Sequence, residues 1–109
     1  MIASTRALSA ETAAIDPQYV LRLFVSGFTP RSQRAICNLK HICERYLAGR
    51  YRIEVVDLYQ SPGIAHREQI LAAPTLLRLL PMPRRRIIGD LAQLDKVLHA
   101  LDIPGGEDD

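Results

Sequence analysis

Apolar positions along the chain fall into short runs that alternate between strand-like and helix-like spacing. Tyr19 to Val25 is β-rich and broken only by Arg22, the pattern of a strand buried on both faces. Gly27-Phe28-Thr29-Pro30 then turns the chain into a helix, with Thr29 placed to cap it and Pro30 at its first position. Ile36, Leu39, Cys43, Tyr46 and Leu47 share one face at helical spacing, and Gly49 ends the run. Tyr51 to Leu58 reads as a second strand. Ser61-Pro62 starts a weakly amphipathic helix that carries Ile64, Ile70 and Leu71. After Ala73-Pro74, Thr75 to Leu80 is a third strand, Pro81-Met82-Pro83 a stiff connection, and Arg84 to Ile88 a fourth strand. Asp90 is placed to cap the last helix, and Gln93 completes a capping-box pattern. Leu91, Leu94, Val97, Leu98 and Leu101 supply its buried face.

These elements run β-α-β-α-β-β-α. The opening strand-helix-strand unit predicts a parallel pair with a right-handed crossover. The proline-linked third and fourth strands are placed to lie antiparallel. The expected fold class is α/β, a thioredoxin-like mixed four-stranded sheet covered by helices. Residues 1–18 are low in large apolar side chains and are expected to be a flexible extension. Residues 19–103 form the domain, and Pro104-Gly105-Gly106 closes it ahead of a mobile acidic tail over 104–109.

Composition narrows the class. A chain of 109 residues supports one domain with one modest core. Its net charge of +2 is too small to point to nucleic acid, although Glu107-Asp108-Asp109 sets off a more basic body. No apolar run approaches the roughly 18–20 residues that span a bilayer. Met1 to Ala14 lacks the pattern of a secretory signal. Two cysteines six residues apart make neither a disulfide framework nor a metal site. A cytoplasmic protein with reduced thiols is expected.

In a thioredoxin-like fold, the reactive Cys-x-x-Cys sits where the first strand turns into the first helix, whose N-terminus lowers a thiol pKa. That position here reads Thr29-Pro30-Arg31-Ser32. Thiol–disulfide exchange needs a thiolate nucleophile and leaving group, so no such chemistry runs there. Cys37 and Cys43 point about 120° apart on a helix, so they form no pair. Cys43 reads as a small core residue and Cys37 lies at the edge of the apolar face. His41, His66 and His99 fall on three different helices without carboxylates at ligand spacing. Nothing else resembles a catalytic constellation, and a non-enzyme without cofactor or metal is expected. Arg84-Arg85-Arg86 reads as a solvated or partner-facing surface. The Leu76-Leu77-x-Leu79-Leu80 run is more apolar than one sheet face requires, which leaves core and subunit interface as its two readings.

From Tyr19 to about Ile103 the chain resembles the KaiB family. The resemblance rests on Leu21-Arg22-Leu23-Phe24-Val25-Ser26-Gly27, Thr29-Pro30-x-Ser32, Arg34-Ala35 and Val55-Val56-Asp57-Leu58. It continues through Ile70-Leu71-Ala72-Ala73-Pro74-Thr75-Leu76, Leu80-Pro81-x-Pro83, Arg86-Ile87-Ile88-Gly89-Asp90-Leu91 and Val97-Leu98-x-Ala100-Leu101-Asp102. It implies a protein that binds a hexameric KaiC-like ATPase, with a KaiA-like protein as a further partner in the clock. It also implies self-association as dimer or tetramer, and a metamorphic second half. Two packings need differ by only a few kcal/mol to interconvert.

On this resemblance, Arg22, Arg34, Lys40, Gln69, Arg85 and Arg86 are the partner-binding candidates, and Pro74, Pro81, Pro83, Ala100 and Asp102 the residues setting the fold balance. Family members often carry glycine where this chain has Ala100, and alanine gains roughly 1 kcal/mol inside a helix. Ala100 is therefore expected to favour the thioredoxin-like state. Clock members carry lysine where this chain has Cys37, Gln60 and Gln69, while Arg34, Lys40 and Arg86 match basic positions. Losing rim charges slows encounter more than it abolishes binding. The alternative function is a thioredoxin-fold protein of stress or redox physiology with no KaiC partner.

Overall fold

The computed structural model of the chain describes Thr5–Arg6 and residues 17–103. The elements are β1 (Thr5–Arg6), β2 (Tyr19–Val25), α1 (Pro30–Tyr46), β3 (Tyr51–Asp57), α2 (Pro62–Arg67), β4 (Thr75–Leu80), β5 (Arg85–Ile88) and α3 (Leu94–Ala100). The sheet order is β1-β3-β2-β4-β5. β2 and β3 are parallel, while β2–β4, β4–β5 and β1–β3 are antiparallel. The mixed four-stranded sheet expected from the sequence is therefore present. A fifth, two-residue strand from the N-terminal segment adds to its β3 edge. The expected acidic tail over 104–109 lies outside the described residues.

β2 occupies the centre because it is apolar on both faces. Leu21, Leu23 and Val25 point to the side covered by α1 and α3, and Val20 and Phe24 to the other, all of them buried. The larger core joins these residues to Ala35, Leu39, Ile42 and Cys43 of α1 and to Val97, Leu98 and Leu101 around α3. Each fully buried aliphatic side chain contributes about 1.5–3 kcal/mol relative to exposure. The smaller core is Phe24, Val56, Ile70 and Leu77 beneath α2. α2 itself has no buried residue, in keeping with its weak amphipathic pattern.

α1 begins as its sequence dictates. Thr29 is its N-cap with the hydroxyl accepting from Ser32 N at 3.1 Å, and Pro30 fills the position where a missing N–H costs nothing. Its buried face centres on Ala35, Leu39, Ile42 and Cys43, leaving Ile36 and Tyr46 half-buried at the margins.

The last helix departs from expectation at both ends. It starts at Leu94, with Gln93 as an N-cap that makes no side-chain bond. Asp90 instead forms a turn of its own: Ala92 N donates to its Oδ1 at 3.2 Å, and Arg34 pairs with its Oδ2 at 3.4 Å. Leu91 takes φ 65, a left-handed conformation that turns its side chain into the core and ends any helical path from Asp90. Leu94 is consequently exposed rather than part of the buried face.

At the far end, Asp102 N donates to His99 O and Ile103 N to Leu98 O, with Asp102 at φ 57. This is a Schellman closure built on an aspartate. Ala100 is the last helical residue, not an interior one, so its advantage over glycine is smaller than the full interior value of about 1 kcal/mol. The peptide bonds preceding Pro74, Pro81 and Pro83 are cis.

Candidate partner-docking face

The turn from β2 into α1 carries no sulfur, and Thr29 and Ser32 bond to each other there through their hydroxyls at 3.1 Å. Cys37 is exposed on α1, whereas Cys43 is buried. Burial, with the neighbouring Glu44 charge adding to it, pushes the Cys43 thiol up to about 12. A raised thiol pKa keeps Cys43 protonated and inert at neutral pH. Native protein is expected to react with a disulfide reagent at one thiol in the fast phase, and unfolded protein at two. Titration with and without guanidinium checks this, and two fast thiols in the native state would contradict it. Among the described residues, no group of three His, Cys, Asp or Glu side chains can hold a metal ion.

The sequence-predicted partner residues separate into four places. Gln69 and Arg86 come together: Arg86 Nη1 donates to Gln69 O at 2.8 Å and Nη2 to Glu68 O at 3.2 Å. The arginine thus caps the carbonyls just past the end of α2, where a cation is favoured. Arg67 in the last turn of α2 is exposed. Leu71 is 94% exposed and Ile88 61% exposed, the latter on the same side of β5 as Arg86. Exposed apolar side chains and arginines near the α2–β5 junction make it the candidate docking face. Between residues 17 and 103 the chain carries thirteen Lys and Arg against seven Asp and Glu, so the described domain is basic.

Arg34 and Lys40 lie on α1, across the sheet, with Arg34 engaged by Asp90. Arg85 pairs with Asp102 at 3.0 Å beside the end of α3. Arg22 is half-buried and held by Glu54, its register neighbour on β3, at 2.8 Å. Arg52 adds a second bond to Glu54 at 2.6 Å. Burial alone pushes the Glu54 carboxyl up, but the bonds and charges of Arg52 and Arg22 outweigh it and hold it below the usual carboxylate range.

A depressed folded-state pKa contributes stability that is complete above the unfolded value near 4.3 and is lost as pH falls through the folded value. Acid unfolding of a Glu54→Gln variant is therefore expected to be shallower below pH ~4.3 than that of the unsubstituted chain. Denaturant titrations at pH 3 to 7 check it, and parallel pH profiles would contradict it.

Sequence reasoning missed Arg78. Its side chain is 2% exposed, on the α1/α3 side of β4. Nη1 donates to Leu101 O and Nη2 to Pro83 O at 2.8 Å, and Asp102 Oδ2 lies 3.8 Å away. Asp102 is thus shared by Arg78 and Arg85, and this group ties β4, the proline turn and the end of α3 together. The signal was present as a single arginine inside an otherwise apolar strand run, a charge that burial forces to find acceptors.

A mixed sheet with α1 and α3 on one side and α2 on the other defines a thioredoxin-like fold, here with Thr29-Pro30-Arg31-Ser32 at the β2–α1 turn. Solved structures agree on the fold. The N-terminal domain of Synechococcus elongatus SasA superposes with a TM-score of 0.65 at 22% identity, over 84% of this chain and 91% of that one. Chloroplastic thioredoxin z gives 0.64 at 19% identity, over 94% and 97%. The KaiB domain profile matches residues 22–103, and the chain belongs to the KaiB family. The circadian clock oscillator protein KaiB of Synechococcus elongatus is 48% identical over 89 residues, covering 82% of this chain and 87% of that protein.

Proposed function

We propose that the chain is a non-catalytic regulator that docks on a KaiC-type ATPase, in circadian timing or a related timing system. Membership of the KaiB family across residues 22–103 carries the reading. The α2–β5 face supports it with a surface of suitable chemistry, in which Leu71 and Ile88 supply apolar contact and Arg67 and Arg86 positive charge. Gln69, at φ 57, sits at the bend that presents Leu71 to solvent. Arg22, committed to Glu54, acts in folding rather than in contact. Arg34, Lys40 and Arg85 lie away from this face and are secondary candidates.

The lysines missing at Cys37, Gln60 and Gln69 reduce encounter rate more than final affinity. Fold balance enters through the Arg78–Asp102–Arg85 group, because any repacking of the second half must release it. The test is binding to a KaiC-type hexamer with ATP, followed by light scattering on co-eluting fractions. A complex that weakens with rising salt supports the reading, and absence of any complex removes it.

A further inference from the structure

Where β2 runs into α1, a set of groups around the start of β4 is left without partners. β2 and β4 pair up to Phe24 and Thr75, and Ala73-Pro74 lie just beyond that pair. Pro74 is fully buried, and its carbonyl accepts Gly89 N at 2.9 Å, which brings the β5–α3 turn alongside. Ala73 is half-buried and makes no backbone hydrogen bond among the described residues. Main-chain groups in such a position are normally paired. Gly89 leaves space beside them: it sits at φ 123, and a Cβ there would meet only Arg31 Nη2, 4.0 Å away. Arg31 has no carboxylate partner among the described residues, whereas Arg22, Arg34, Arg78 and Arg85 each have one. Phe28 stands on the same turn with its ring 63% exposed. Its backbone is fixed, because Gly27 N donates to Asp57 Oδ1 at 3.0 Å and Gln33 Nε2 to Phe28 O at 3.3 Å. The boundaries of the described residues lie away from this spot. Thr5–Arg6 is at the far edge of the sheet, and Tyr19 and Ile103 are at the other end of β2 and β4.

These groups match one kind of occupant. The N–H and C=O of Ala73 can take an extended main chain through two bonds, the smallest form of strand addition. Successive side chains of an extended segment point to opposite sides, so an apolar one can meet Phe28 and its acidic neighbour Arg31. Charge favours an acidic segment, since residues 17 to 103 carry thirteen Lys and Arg against seven Asp and Glu. A rigid turn that already presents its aromatic ring loses little freedom on binding. We propose that the β2–α1 turn, Ala73 and Gly89 form a peptide groove for an extended acidic and apolar segment of a protein partner, held without covalent chemistry. The groove is separate from the α2–β5 face and does not depend on what docks there.

The probe is a hexapeptide alternating valine and glutamate, acetylated and amidated at its ends. It is titrated to millimolar concentration into the isotope-labelled full chain and read by amide NMR. Shifts are expected at Phe28, Ala73 and Gly89, with slower hydrogen exchange at the Ala73 amide. The same peptide N-methylated throughout keeps every side chain but has no main-chain donors, and is expected to bind about tenfold more weakly. Arg31→Glu sets like charges against each other and is expected to weaken binding about tenfold, and Phe28→Ala about fivefold. Both side chains are exposed, so the rest of the spectrum is expected to stay that of the folded chain. A peptide with lysine in place of glutamate is expected to bind more weakly than the acidic one. The proposal is overturned if neither Ala73 nor Gly89 moves, or if the N-methylated or the lysine peptide binds as well as the first. Shifts confined to Leu71 and Arg86 would place the peptide on the α2–β5 face and equally overturn it.

Discussion

Replacing Arg78 by alanine is expected to remove about 3 kcal/mol of stability, because it leaves buried acceptors without donors and opens a cavity. Leu101 O at the end of α3 and Pro83 O in the β4–β5 turn both lose their guanidinium donor, and Asp102 loses one of two cations. For a domain of this size, such a loss lowers Tm by on the order of 15 °C. Arg78→Met separates the causes, since it keeps most of the volume and removes only the charge and donors. It is expected to cost less than alanine while still destabilising, because the two carbonyls stay unpaired. Nε of Arg78 has no partner among the described residues, so the buried guanidinium is itself imperfectly satisfied. Denaturant melts of both variants measure this, and a methionine variant as stable as the unsubstituted chain would show the polar group to be dispensable.

Leu71→Asp has the largest expected effect on partner binding. Leu71 is 94% exposed, so the substitution leaves stability within about 0.5 kcal/mol. An exposed leucine has little to do in the isolated chain, yet as an interface anchor its loss costs about 2 kcal/mol, or roughly 30-fold in Kd. Arg86→Ala is expected to act differently. It also releases the carbonyls of Glu68 and Gln69, so it weakens binding and loosens the end of α2 together. If Leu71→Asp binds a KaiC-type hexamer as tightly as the unsubstituted chain does, the α2–β5 face is not the contact surface.

How far the sequence carried the fold depends on how local its signals were. β2 and β4 match expectation residue for residue, because continuous apolar runs bounded by turn residues leave little choice. The cap and first turn of α1 follow equally directly from Thr29-Pro30. The Asp90-x-x-Gln93 pattern misled because its chemistry was satisfied elsewhere. Arg34, 56 residues earlier in the chain, engages Asp90, and the core draws Leu91 into a left-handed turn. Both causes are tertiary.

The candidate docking face was legible only in part for the same reason. Gln69 and Arg86 were singled out by resemblance, but their meeting depends on β5 pairing with β4 in a register that sets Arg86 beside Leu77, over the end of α2. The exposure of Leu71 contradicts its hydrophobicity, and no periodicity reveals that. Arg22 shows the converse: a candidate contact residue by sequence, it is consumed by Glu54 on the neighbouring strand.

The central claim is that this fold is kept for contact with a KaiC-type ATPase. Size-exclusion chromatography with light scattering, on the chain alone and mixed with a KaiC-type hexamer and ATP, tests it most directly. Co-elution with the hexamer, slow to develop and reduced by Leu71→Asp, is the predicted result. A chain that never enters the hexamer peak at any time or salt concentration would contradict the account.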